Sequence, residues 1–225
     1  METQERSKML GTMEMGKLVP KVSIPIMISM LVQALYNVVD GIFVAKYSAA
    51  ALTAVSLAYP IQMLMIAVST GLGVGFNSLI SRKLGEKRHE EAREAARNGI
   101  FTELCGFALF CLFGLFFARD FFNLFTSDPV LQQHGGEYLS LVCIYSFGLF
   151  LAVCFERMMQ ATGNSMLAMM TQLLGAVINI ILDPIMIFGL LGCPAMGIAG
   201  AAIATVIGQI GGMTLGLVLN QAKNV

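Results

Sequence analysis

The chain has 225 residues, 56% of them hydrophobic and only 12% charged, with a formal net charge of zero and a mean hydropathy of +0.75. A soluble core needs far less apolar surface, so these values exclude an ordinary water-solvated domain and predict an integral membrane protein. The balanced charge supplies no electrostatic footprint for nucleic acid, and no such partner is expected.

Residues 1–21 carry Arg6, Lys8, Lys17 and Lys21 without a separate short apolar region and small-residue cleavage site, and are expected to be a cytoplasmic tail. Apolar stretches of membrane length follow at 22–46, 52–80, 98–118, 137–157, 166–190 and 197–219. They predict an all-α fold of six transmembrane helices in one unit, 22–219, with residues 220–225 beginning a cytoplasmic loop. Between them lie a charged segment from Arg82 to Arg97, the string Thr126-Ser127-Asp128-Pro129, then Gly163-Asn164-Ser165 and Gly192-Cys193-Pro194. In the second of these a capping residue before proline predicts a helix start. Lysine and arginine set the orientation: with the N-terminus inside, only Lys46 and Arg119 are left outside, and both termini are cytoplasmic.

The five cysteines form no CxxC or Cys/His spacing suited to zinc and are read as packing residues. His89 and His134 are placed in polar loops without a function. Gly71, Gly73 and Gly75 have a spacing superficially like a dinucleotide fingerprint, but no strand precedes them, so the nucleotide reading is rejected. No nucleophile and base pair, metal cluster or phosphate loop marks an enzyme, and no cofactor is expected.

The polar residues inside the spans carry the functional signal. Asp40, in the string Leu35-Tyr36-Asn37-Val38-Val39-Asp40-Gly41, lies about 9 Å along its helix from Lys46, still within hydrocarbon, where an acid is expensive and points to function. Asp183 on the fifth helix and Thr205 on the sixth fall at the same depth. Asn179 lies one turn from Asp183, and Gln209 one turn from Thr205. Two acids and three neutral polar groups can therefore meet in the outward half of the bundle. Two such acids in a low dielectric resist joint ionisation, so a proton is expected to join them. Pro184 leaves the carbonyl of Ile180 free beside this cluster, whereas Pro25 and Pro60 are read as bends. Glu103 and the Glu156-Arg157 pair are placed near inner helix ends, where such side chains snorkel to the interface, and their neutralisation is expected to be mild. Gly200, Ala204, Gly208, Gly212 and Gly216 form a smooth stripe for a close helix neighbour, or for a second copy of the chain.

Five strings in order, around Asp40, from Gly71 to Gly85, Gln160 to Asn164, Asn179 to Pro184 and Gly197 to Thr205, together resemble the multidrug and toxic compound extrusion (MATE) family of bacterial antiporters. That resemblance implies a twelve-helix transporter of two six-helix lobes, of which this chain is the N-terminal lobe and 220–225 the start of the inter-lobe loop. It implies export of a small organic cation in exchange for H+ or Na+, with the missing C-terminal lobe or a second copy as partner, in the lipid of a bacterial inner membrane. The family's N-lobe ion site carries over to Asp40, Asn179 and Asp183, with Thr205 from helix six, a set that could hold Na+. Tyr36, Asn37 and Gln209 complete the candidate ion-coupling and substrate-binding residues. Where some members place an asparagine on helix four, this chain reads Val153-Cys154-Phe155, which leaves the sodium shell incomplete. The alternatives are a flippase for a lipid-linked oligosaccharide or polysaccharide, which would need intramembrane basic residues, and a non-transporting half-size scaffold.

Overall fold

The computed structural model describes residues 13–223, and every regular element among them is helical. Most of the expected tail 1–21 and the terminal Asn224-Val225 lie outside the described residues. The helices are α1 (Met15–Tyr47), α2 (Ala49–Gly85), α3 (His89–Phe116), α4 (Ala118–Phe125), α5 (Pro129–Ile144), α6 (Phe147–Ala161), α7 (Ser165–Phe188) and α8 (Ile198–Lys223), with a 3-10 turn at Leu190–Gly192. Five helices are each long and apolar enough to cross a membrane, and α5 with α6 makes a sixth span, bent by 43°.

Local chemistry explains most of the boundaries. Asp128 caps α5 by accepting from the Val130 amide at 2.9 Å, with Pro129 in the first turn, as the sequence predicts. Ser48 caps α2 in the same way, accepting from Ala50 at 3.2 Å. At the end of α7, Gly189 turns left-handed (φ 73°) with Ala195 so near that an added Cβ would lie 2.7 Å from its backbone nitrogen. The break between α5 and α6 falls at Tyr145-Ser146, where the buried Ser146 hydroxyl donates to the Cys143 carbonyl at 2.8 Å in place of a continuous ladder.

Several boundaries differ from those expected. The third span starts at His89, so the charged stretch to Arg97 is the amphipathic opening of α3, tied back to α2 by Lys83–Glu91 at 2.6 Å. His134 sits inside α5, not in a loop. The first helix begins at Met15 and the last runs to Lys223, so both extend beyond the apolar stretches 22–46 and 197–219. The short α4, not foreseen, forms an aromatic turn between the third and fourth spans, with Phe122 wholly buried and Leu124 exposed.

The glycine stripe on α8 is already occupied within the chain. A Cβ on Gly200 would lie 2.5 Å from the Met186 carbonyl oxygen and one on Gly208 2.7 Å from that of Gly175, both on α7, while Gly216 meets Phe155 of α6. It is thus an internal seam, and the expectation that it could receive a second copy is overturned by α7. One buried cluster, including Met65, Phe110, Phe122, Tyr138, Phe150 and Ile187, fills one end of the bundle, and another around Phe76, Ile80, Cys154, Phe155 and Met158 packs beside α6. Large apolar side chains such as Met27, Met30, Leu31, Leu35 and Val38 stay exposed, the surface of a chain solvated by lipid or by another helical unit.

Candidate functional site

α1 and α7 pack along each other and bring Asp40 and Asp183 into direct interaction. Asp183 is completely buried and Asn179, one turn away, is 2% exposed. The Asn179 amide donates to Asp183 Oδ1 at 3.2 Å and to Thr205 Oγ1 of α8 at 3.3 Å. Three helices thus meet at one level through four of the residues singled out from the sequence.

A cavity of about 270 Å³ opens on this cluster, lined by Tyr36, Asn37, Asp40, Thr205 and Gln209 among others. All of the remaining candidates therefore fall on one wall system, with Asn37 at its exposed rim. The opposite wall supplies groups that sequence reasoning missed: Ser56, Tyr59, and Gln62, whose amide donates to the buried Tyr138 hydroxyl at 3.0 Å. Gln33, one turn before Asn37, also lines it. Period-four spacing from Gln33 through Asn37 to Gly41 was the available signal for that face.

A second cavity of about 100 Å³ shares Gln33, Tyr36, Thr205 and Gln209 with the first and continues past Asn179 to Glu156, Thr171 and Gln172. Glu156 is 6% exposed. Its Oε2 accepts from Gln172 at 2.8 Å, and its Oε1 lies 3.5 Å from the Thr171 hydroxyl. The expectation of snorkelling is overturned here, because α6 runs on to Ala161 and Glu156 is not at a helix end. This glutamate lies one residue beyond Val153-Cys154-Phe155 and lines the second cavity. Glu103 does not snorkel either: it is 0% exposed and accepts from Ser69 at 2.9 Å.

The unpartnered atoms reveal the chemistry of the site. Asp40 Oδ1, Asp183 Oδ2, Asn179 Oδ1, Gln209 Oε1 and Gln172 Oε1 are all buried without a hydrogen-bond donor among the described residues. Every one is an acceptor oxygen, on residues that line the two cavities or interact with a residue that does. Carboxylate, amide and hydroxyl oxygens without donors fit a proton, a water or a hard cation. No lysine or arginine lines either cavity.

Comparison with known proteins places this arrangement. The MatE family model matches residues 25–185. A FAD transporter of Shewanella oneidensis is 25% identical over 200 residues, 89% of this chain and 44% of the relative. A probable multidrug resistance protein NorM of Thermotoga maritima is 29% identical over 205 residues, 88% of this chain and 43% of the relative. The solved structure of the MATE multidrug transporter DinF-BH in complex with R6G superimposes with a TM-score of 0.85 at 38% identity, over 95% of this chain and 47% of that one. The chain spans about half the length of the relatives it matches. It belongs to the MatE family of multi-pass membrane transporters, and its six spans correspond to roughly the N-terminal half of that family's fold.

Proposed function

We propose that the chain is one lobe of a secondary antiporter that exports small organic cations, with H+ or Na+ binding among Asp40, Asn179, Asp183 and Thr205 as the coupled event. The observation that carries this reading is the set of buried, donorless oxygens around the interacting Asp40 and Asp183 carboxyls, in a cavity without a basic side chain. A carboxyl pair in low dielectric is unstable with two negative charges, and a proton, a sodium ion or an organic cation each relieves it. Competition among these occupants for one site is sufficient for exchange. Alternating access then follows when occupancy changes how α1 packs on α7.

In this reading Tyr36, Asn37 and Gln209 line the way to the acid pair, and a substrate pathway forms between this lobe and a second one, either a further six-helix unit or another copy of this chain. In this reading both termini are cytoplasmic, which the lysine and arginine distribution supports, and the lobe lies in a bacterial inner membrane. The acidic lining favours a cation over the anionic head group of a lipid-linked sugar.

Binding of radiolabelled tetraphenylphosphonium to membranes containing the chain, between pH 5 and 9 and with or without Na+, tests the proposal. Binding that falls with acid or Na+, and loses that dependence in Asp40→Asn and Asp183→Asn, is the expected result. Binding indifferent to pH, to Na+ and to both substitutions would remove the basis for coupling.

A further inference from the structure

The transport reading uses Asp40 and Asp183 and leaves two other buried acids without a role. Glu103 is sealed in the wall where α2, α3 and α6 pack: Ser69 donates to it at 2.9 Å, and neither cavity reaches it. The Arg157 side chain runs through the same wall, since a Cβ on Gly73 of α2 would lie 2.8 Å from its Cγ, and its Nη1 donates to Gln160 at 2.8 Å. Arg157 thus follows Glu156 along α6 but forms no ion pair with it. Glu156 is the acid that lines open space.

The second cavity runs along α7 from Asn179 to Thr171 and Gln172, about 11 Å away, where Glu156 enters from α6. Gln172 donates to Glu156 Oε2 at 2.8 Å. The other oxygen is poorly held: the single Thr171 proton has its short bond, 2.7 Å, with the Ala168 carbonyl, and Glu156 Oε1 lies 3.5 Å from that hydroxyl. Along the same cavity Gln172 Oε1, Asn179 Oδ1 and Gln209 Oε1 are buried without a donor. Asn179 is 2% exposed, with its amide nitrogen committed to Asp183 and Thr205 and only its oxygen left for the cavity. Among the described residues every unmatched buried side-chain atom of this lining is therefore an acceptor, and no lysine or arginine lines the cavity to answer them.

We propose that the second cavity is a subsite for a cationic group that carries N–H bonds, a guanidinium, an amidinium or a primary ammonium, with Glu156 as its charge partner and the orphaned amide oxygens of Gln172, Asn179 and Gln209 as its acceptors. At about 100 Å³ the cavity suits a head group, and the body of the ligand lies in the adjoining space of about 270 Å³, which shares Gln33, Tyr36, Thr205 and Gln209 with it. A guanidinium supplies five donors in one plane and an ammonium three, whereas a quaternary ammonium or a phosphonium supplies none and leaves each oxygen buried and unmatched. Such a site separates cations of equal charge by their hydrogens. Asn179 joins the subsite to the acid pair, so the proposal rests on the transport reading for the ligand's being a cation and adds which cations it takes.

Two matched monocations test it on the chain in lipid nanodiscs: phenylguanidinium, which carries N–H donors, and phenyltrimethylammonium, which has none. Calorimetric Kd values are expected to favour phenylguanidinium about tenfold, with that preference abolished in Glu156→Gln and reduced about threefold in Gln172→Leu. Asp40→Asn is expected to weaken both ligands alike. Equal affinities in the wild type, or a preference untouched by Glu156→Gln, would overturn the proposal. A preference lost in Asp40→Asn would overturn it too, by assigning the N–H recognition to the acid pair. A merely structural Glu156 would lower the yield of folded protein and leave the ratio of the two affinities unchanged. If Glu156→Gln does not accumulate, Gln172→Leu decides by the same ratio. Tetraphenylphosphonium binding that depends on Asp40, without any N–H preference, upholds the transport reading and sinks the subsite. A Glu156-dependent preference in a chain whose tetraphenylphosphonium binding ignores Asp40, Asp183, pH and Na+ does the reverse.

Discussion

The two polar sectors of this lobe are built differently. Around Asp40 the helix is loosely held: α1 packs chiefly on α7, and its buried residues are only Leu18, Pro25, Ser29 and Val44 along 33 residues. Around Glu103 the helices interlock. A Cβ on Gly99 would lie 2.8 Å from the Phe76 ring and one on Gly106 2.7 Å from that of Phe150, so α3 presses against α2 and α6 with no spare volume. The difference is between a helix with few buried side chains and a wall of closely packed ones. A helix packed chiefly on one neighbour has room to respond to a proton or ion at the acid pair between them, whereas a glycine-packed wall resists displacement.

The largest effect that would sharpen this contrast is at the acid pair. Asp40→Asn and Asp183→Asn each remove a titrating charge while keeping the shape, and ion-dependent efflux is expected to fall at least tenfold when the chain is assembled with the second lobe proposed above. Insertion and melting temperature should barely change. Fluorescent-dye efflux from proteoliposomes, read beside a thermal-unfolding curve in detergent, measures both.

The opposite signature is expected in the closely packed sector. Gly106→Val drives a branched side chain into Phe150 and should cost about 1–3 kcal/mol of stability, seen as a lowered melting temperature. Gly41→Ala on α1, where nothing lies within 4 Å of an added Cβ, should be neutral or stabilising by up to about 1 kcal/mol. If the two substitutions destabilised equally, the distinction between loose and interlocked helices would be lost.

Smaller again is Thr205→Val, which removes the 3.3 Å contact from Asn179 while leaving Asn179 bound to Asp183. A loss of about 1 kcal/mol, or several-fold in Na+ or proton affinity, is expected from the pH and Na+ competition curves. At the bottom of the scale, Arg93→Ala breaks an exposed pair with Glu90, with side chains 66% and 83% accessible. No measurable change in binding or melting temperature should follow, because water and salt screen such pairs.

Much of this lobe was legible in the chain itself. The six spans follow from the apolar run lengths, and the start of α5 from Asp128-Pro129. The shared level of Asp40, Asp183 and Thr205 follows from counting residues at 1.5 Å each along helices of known direction. These readings succeed because hydrocarbon forces each spanning backbone to satisfy its own hydrogen bonds, so length along the chain converts into depth. Counting fails where a boundary is wrong: ending the fourth span at 157 put Glu156 at the interface, although α6 continues to Ala161 and buries it.

Which neighbour each helix face meets could not be counted. Glu103 and Glu156 are both buried acids, yet one faces Ser69 inside the wall and the other faces a cavity, a difference of rotation about two helix axes. The Gly200 to Gly216 stripe announces close approach but not to whom, and packing awarded it to α7. The amino-acid sequence by itself determined a membrane-embedded helical lobe and the depth of its polar groups, because the bilayer acts on each span separately. Only the tertiary structure decided that Asp40 and Asp183 come together, that the Arg157 side chain passes Gly73 and that Glu156 joins the cavity, because those facts depend on how helices rotate and close on one another.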